Sequence, residues 1–250
     1  MLSDTLQVLG RTARQDLRSP AWVVAGLAQP VLYLLLFAPL LEAVAAAPGF
    51  GPGDHLQVFV PALLVQQALF GSLFVGFGLM ADVRAGVLDR MRVTPVPRAA
   101  LLLGRVLRDV AVLLVQALLL LGCATLLGLR APLLGVAVGL VLVALVGAAL
   151  SAVSYALALR IRSEGAFAPL LNAFSLPLLL LSGVLLPMGL APAWLHAVSR
   201  ANPFAHVVDA ERAAFVGDLG RVALTGGAVA AALALAAGAW GVRTFHREAA

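Results

Sequence analysis

Along most of this chain apolar residues neither alternate nor form a stripe; they run on without interruption and are divided by a few short charged segments. Residues 19–41, 55–81 and 110–129 contain no Asp, Glu, Lys or Arg. An α-helix rises about 1.5 Å per residue and needs roughly 20 apolar residues to cross the hydrocarbon of a bilayer. The pattern predicts six spans, at residues 21–41, 56–80, 110–129, 132–159, 165–186 and 222–242. Pro30 is expected to kink the first, a break that neighbouring helices can tolerate by bonding the freed carbonyl. Residues 42–54, dense in glycine and proline, and Arg130-Ala131-Pro132 read as outer turns.

Two segments are not plain spans. Residues 1–20 place Leu2, Leu6, Leu9 and Ala13 on one helical face and Arg11, Arg14, Gln15 and Arg18 largely on the other, as expected of a helix lying along the inner membrane surface. It reads as retained, because the apolar core of a cleaved signal would begin nearer the terminus. Residues 187–221 are too broken by proline and charge for one span, yet carry Trp194, Leu195, Phe204 and Phe215. They are expected to form two short interfacial or partly re-entrant helices.

Composition places the chain in a class. At 62% hydrophobic residues, 12% charged residues and a mean hydropathy of +1.02, it has too little polar surface for a soluble globule. The expected fold is an all-α polytopic membrane protein. All 17 basic residues are arginine, and 13 of them fall on the side that carries both termini and residues 81–109. Positive charge concentrates on the cytoplasmic face, so both termini are expected there. The same topology accounts for the basic balance without invoking nucleic acid. The lone Cys123 excludes an internal disulfide and a cysteine-rich metal site. Gly135 and Gly139 form a GxxxG pair that can let helices approach closely.

Candidate chemistry is sparse. A P-loop needs a lysine on the phosphates and this chain has none, so ATP hydrolysis would belong to another polypeptide. No HExxH, GxSxG or paired-carboxylate pattern is present, and no metal or cofactor site is expected; His55, His196, His206 and His246 read as interfacial side chains. The middles of the six spans carry no ionisable residue, which removes support from an ion-coupled carrier. They do hold Gln66, Gln67, Ser72, Gln116, Asn172, Ser175 and Ser182. Such neutral groups either hydrogen-bond between helices or line a path suited to an apolar or amphipathic molecule.

Residues 81–109 hold the densest charge. Within them Val87, Leu88 and Met91 share one face of a short helix, Asp89, Arg90 and Arg92 point elsewhere, and Thr94-Pro95-Val96-Pro97 ends it. Two readings remain open on the residues alone. The segment is a cytoplasmic tether held inside by its arginines, or an amphipathic knob that docks on a partner.

The segment also resembles the G-T-x-E-x-x-x-V-T-P-V-x-R stretch of ABC-2 type transporter permeases, particularly the daunorubicin-resistance-like exporters. Gly86, Asp89, Val93, Thr94, Pro95, Val96, Arg98 and Gly104 match or nearly match, with Val87 and Asp89 standing where threonine and glutamate are common. Further likeness runs through Gln29-Pro30-Val31 with Tyr33 to Phe37, and through Ser182-Gly183, Pro187, Pro192, Trp194, Asn202-Pro203, Val208-Asp209-Ala210 and Arg212. The resemblance implies an ABC-2 fold of the type V exporter kind. It implies that Gly86, Val87, Leu88, Asp89, Arg90, Met91, Thr94 and Pro95 form a coupling helix seated on a separate ABC ATPase. It further implies a permease homodimer with two ATPase copies, and an extracytoplasmic cap over the exit path carrying Trp194, Asn202, Pro203, Asp209 and Arg212. The substrate path would be sought at Gln66, Gln67, Gln116, Asn172 and Ser175, for a small hydrophobic substrate crossing the plasma or inner membrane. A glycan exporter of the same fold, an ATP-independent channel and a non-transporting assembly factor are the rival readings.

Overall fold

The computed structural model describes residues 28–37, 39–40, 54–86, 98–161, 163–184 and 188–248. Among these residues the regular structure is entirely helical. The helices are α1 (Ala28–Phe37), α2 (His55–Leu73), α3 (Gly76–Arg84), α4 (Arg98–Leu126), α5 (Leu133–Ile161), α6 (Glu164–Leu181), α7 (Ala193–Ser199), α8 (Pro203–Phe215) and α9 (Arg221–Glu248), with a 3-10 turn at Met188–Leu190. Five helical stretches are long and apolar enough to cross a bilayer: α2 with α3, α4, α5, α6 and α9. The expected interfacial helix at residues 1–20 lies outside the described residues, as do residues 21–27 of the expected first span, whose remainder includes α1.

The centre of the bundle is α5, which packs against α2, α3, α4, α6, α8 and α9. It can do so because its buried positions include Gly135, Gly139, Gly147, Ala149, Ser151, Ala152, Ser154, Ala156 and Ala158, whose small side chains let neighbouring backbones come close. A Cβ on Gly147 would stand 2.5 Å from the Leu113 side chain of α4. Around this hub, large apolar residues face outward: Leu118 on α4, Phe174 on α6, Leu224 and Leu235 on α9 are all more than half exposed. Outward faces of that kind belong against lipid.

The expected second span, residues 56–80, is broken between α2 and α3. At the break the Ser154 hydroxyl of α5 donates to the Leu73 carbonyl at 2.5 Å, and the Gly76 amide donates to the same hydroxyl oxygen at 2.9 Å. One side chain thus satisfies both backbone groups that the break releases, the condition for an interrupted helix at membrane depth. Phe74 and Phe77 stack beside it, and Phe77 meets Phe167 of α6 edge-on.

The helix that carries the expected third span begins at Arg98, ahead of residue 110, so most of the described residues in the charged segment 81–109 are helical. Its front end is the last turn of α3, its back end the first three turns of α4, and only residues 87–97 between them lie outside the described residues. The charges fit because they neutralise one another: Asp82 of α3 pairs with Arg105 of α4 at 2.6 Å, and Arg108 with Asp109 at 3.1 Å. The α4–α5 connection is short, and the Gln57 side chain of α2 donates to the Arg130 carbonyl there at 2.5 Å.

Candidate functional site

Two polar clusters stand out, one at each end of the bundle. The first surrounds the stems of residues 87–97. The left-handed Gly86, at φ +67°, ends the turn after α3 and is accessible to that conformation because it has no Cβ. Arg84, the last residue of α3, pairs with Glu164 at the start of α6 at 2.9 Å. Asp82 and Arg105 join the two stems directly. Asp109, one turn further into α4 and 7% exposed, accepts a 2.5 Å bond from the Tyr155 hydroxyl of α5. The stem of α3 is thus tied to α6 by an ion pair, and that of α4 to α5 by a buried hydrogen bond. Of the expected coupling residues, Gly86 sits at this cluster; Val87, Leu88, Asp89, Arg90, Met91, Thr94 and Pro95 lie outside the described residues.

Asp109 and Tyr155 were not singled out from sequence. Asp109 stands just ahead of the expected third span; in the structure it is the twelfth residue of α4 and is buried. Tyr155→Phe keeps the ring packing and removes the donor to a buried carboxylate. The expected loss is about 1–3 kcal/mol, read as a lower unfolding midpoint of the detergent-solubilised chain; an unchanged midpoint would show that the bond contributes nothing.

The second cluster lies at α8. Asn202 caps the helix, its side-chain oxygen accepting from the Phe204 amide at 3.0 Å, while its amide nitrogen donates to the Leu178 carbonyl of α6 at 2.8 Å. Pro203 follows at the first helical position, where a missing N–H costs nothing. Arg212 reaches across the fold: Nε donates to the Val58 carbonyl of α2 at 3.0 Å, and Nη2 to the Gly183 carbonyl after α6 at 2.7 Å. Burial lowers its pKa to about 10, with Asp209 acting in the opposite sense, so it remains a cation at neutral pH. Of the remaining expected cap residues, Asp209 and Trp194 are exposed.

The glycine pair of α5 receives α8. A Cβ on Gly135 would collide with the Ala214 carbonyl oxygen, and one on Gly139 would stand 2.8 Å from the Phe215 ring. Gly226 of α9 likewise lies against the His206 carbonyl and Ala210. The GxxxG pattern therefore serves the seating of this short helix between two long ones.

The neutral polar residues divide. Gln67 of α2 donates to the Gln116 side chain of α4 at 3.2 Å, an interhelical bond between buried groups. Gln66 is buried beside it in sequence, and its carbonyl oxygen has no bond among the described residues. Asn172 is exposed on α6, and Ser175 donates within that helix to the Asn172 carbonyl at 3.5 Å.

Comparison with known proteins decides the family. The ABC-2 type transporter model matches residues 4–216, most of the chain and both clusters. The chain belongs to the ABC-2 type transporter family. A curated relative, the daunorubicin resistance ABC transporter permease protein DrrB1 of Streptomyces coeruleorubidus, is 27% identical over 221 residues, covering 88% of this chain and 77% of that protein. Another, named "Probable doxorubicin resistance ABC transporter permease protein DrrC", from Mycobacterium tuberculosis, is 27% identical over 217 residues, 84% of this chain and 75% of its own length. The protein is thus a multi-pass membrane permease of an ABC transporter, and membership of this family implies an ATPase partner.

Proposed function

We propose that this permease exports a hydrophobic or amphipathic molecule across the plasma or inner membrane, driven by ATP hydrolysed on a separate ABC ATPase. Residues 87–97 form the docking element, with Val87, Leu88 and Met91 as its apolar face and Asp89 and Arg90 setting orientation. The observation that carries this reading is the bracing of both stems of that element: Asp82 to Arg105, Arg84 to Glu164, and Asp109 to Tyr155. A plain tether has no need of bonds from its stems into two other helices. The working unit is a permease homodimer with two ATPase copies, and this chain binds no ATP or metal of its own. The chain crosses the membrane six times with both termini in the cytoplasm, in keeping with its arginine distribution, and residues 187–221 cap the exit on the outer face. Gln66, Gln67, Gln116, Asn172 and Ser175 are the polar groups offered to the substrate.

The test uses membrane vesicles from cells producing this chain together with its ATPase, with daunorubicin as the fluorescent probe because the relatives' names point to anthracyclines. Inside-out vesicles given external ATP should accumulate the probe; right-side-out vesicles, and vesicles lacking the ATPase, should not. Accumulation without the ATPase, or ATP hydrolysis by the purified chain alone, would reject the proposal.

A further inference from the structure

Glu211 is the most unusual side chain in the fold. It lies in the middle of α8, is 0% exposed, and neither carboxyl oxygen has a hydrogen-bond partner among the described residues. Its position follows from helical spacing: Val207, Glu211 and Phe215 fall at i, i+4 and i+8, on the face that α8 presents to the bundle. Two of the three are apolar and the middle one is an acid. The carboxyl rests against the bare backbone of Gly139 on α5, where a Cβ would be 3.7 Å from Oε2. The burial is complete within one chain, so no second copy of the permease need reach it.

The neighbouring cation does not serve as its counter-charge. Arg212 is turned to the carbonyls of Val58 and Gly183. None of the described titratable groups on the helices packed against α8 bonds to Glu211. On α2, His55 bonds to Asp54. Tyr155 of α5 donates to Asp109, and Arg160 of α5 stacks over Trp240. Glu164 of α6 pairs with Arg84. Arg221, Arg243, His246 and Arg247 lie at the two ends of α9, and His206 of α8 bonds to the Arg200 carbonyl. Among the described residues burial is accordingly the one influence acting on Glu211, and it pushes the carboxyl well above its ordinary range. A bare carboxylate in that seat would lack both water and a partner, which strongly favours the neutral acid. α8 is not one of the five helices long enough to span, and besides its buried apolar face it is held by side-chain bonds to α2 and α6 and by close contact with glycines of α5 and α9.

We propose that Glu211 is a proton-binding site built into the seat of α8: the carboxyl holds one proton while the helix is packed against α2, α5 and α9, and gives that proton to water when the helix lifts. The lifted state carries an ordinary hydrated carboxylate. Seated α8 then binds one more proton than lifted α8 over the interval between the ordinary carboxyl pKa and the raised one. The seat is firmest at the acid end of that interval and weakens as pH rises through it. Each lifting of α8 releases one proton on its own side of the membrane, without any ion-coupled carrier chemistry elsewhere in the chain.

The experiment needs only the full-length permease in lipid nanodiscs, without ATPase or substrate, so its outcome is independent of the transport reading. Two measurements are made. The infrared difference spectrum between wild type and Glu211→Gln at about pH 6, where an exposed glutamate is ionised, should contain the carbonyl stretch of a protonated carboxylic acid. Amide hydrogen exchange should show protection of the α8 amides falling by about tenfold per pH unit as pH rises above the ordinary carboxyl range in wild type, and staying level in Glu211→Gln, which keeps the shape and cannot ionise. A difference spectrum without that band, or protection with the same pH dependence in both proteins, overturns the proposal. Should the variant fail to accumulate, wild-type α8 is compared with wild-type α5: a steeper fall for α8 supports the site, and parallel curves reject it.

Discussion

Gly135→Val should unseat α8. A Cβ at Gly135 meets the carbonyl oxygen of Ala214, a backbone atom that cannot rotate aside as a side chain would. The branched valine adds two further methyl groups in the same place. Overpacking of this kind costs about 1–3 kcal/mol and more where backbone must move. Protection of the α8 amides from hydrogen exchange should fall by about ten- to a hundredfold, together with a lower unfolding midpoint in detergent. Gly122→Val is the control: it places the same residue in α4 at a site where a new Cβ meets nothing within 4 Å, so it shares the change in helix propensity without the collision. Equal effects of the two substitutions would mean that α8 does not depend on the α5 glycines.

Truncating both Leu88 and Met91 to alanine should abolish ATP-dependent efflux while leaving the permease in the membrane. If these residues are the buried anchors of a docking face, each contributes about 1.5–3 kcal/mol, and the double change weakens association with the ATPase by about a hundredfold or more. The stems on either side remain braced through Asp82–Arg105 and Arg84–Glu164, so insertion and folding have no reason to change. Asp89→Ala, by contrast, removes a rim charge, and exposed ion pairs contribute about 1 kcal/mol or less; transport should fall only modestly. Full efflux by the double variant at normal membrane abundance would reduce residues 87–97 to a positive-inside tether.

The two halves of the molecule respond to different physics. Around α5, association depends on close approach of small residues and on satisfying broken backbone, as Ser154 does between Leu73 and Gly76. Around the stems of residues 87–97 it depends on paired charge, where Arg84, Arg105 and Arg108 each meet a carboxylate.

The sequence by itself determined that the chain is helical and membrane-spanning, because runs of 20 or more uncharged apolar residues have no other stable use. It also identified the family, through motifs at the central charged segment and through Asn202-Pro203, Asp209 and Arg212. Hydropathy could not locate the start of α4, since it scores Arg105, Arg108 and Asp109 as solvent-loving and is blind to their pairing. It passed over the break between α2 and α3 because the repair comes from Ser154, about 80 residues away. Glu211 was visible in sequence as an acid at i+4 from Val207 and i−4 from Phe215, a signal overlooked among the charges of residues 187–221. Only tertiary structure showed that its carboxyl is enclosed, that Arg212 is committed elsewhere, and that Gly135 and Gly139 exist to receive α8. Those facts depend on which faces meet, and the meeting of faces is decided by packing among elements far apart in the chain, which a local pattern of apolar and polar residues does not encode.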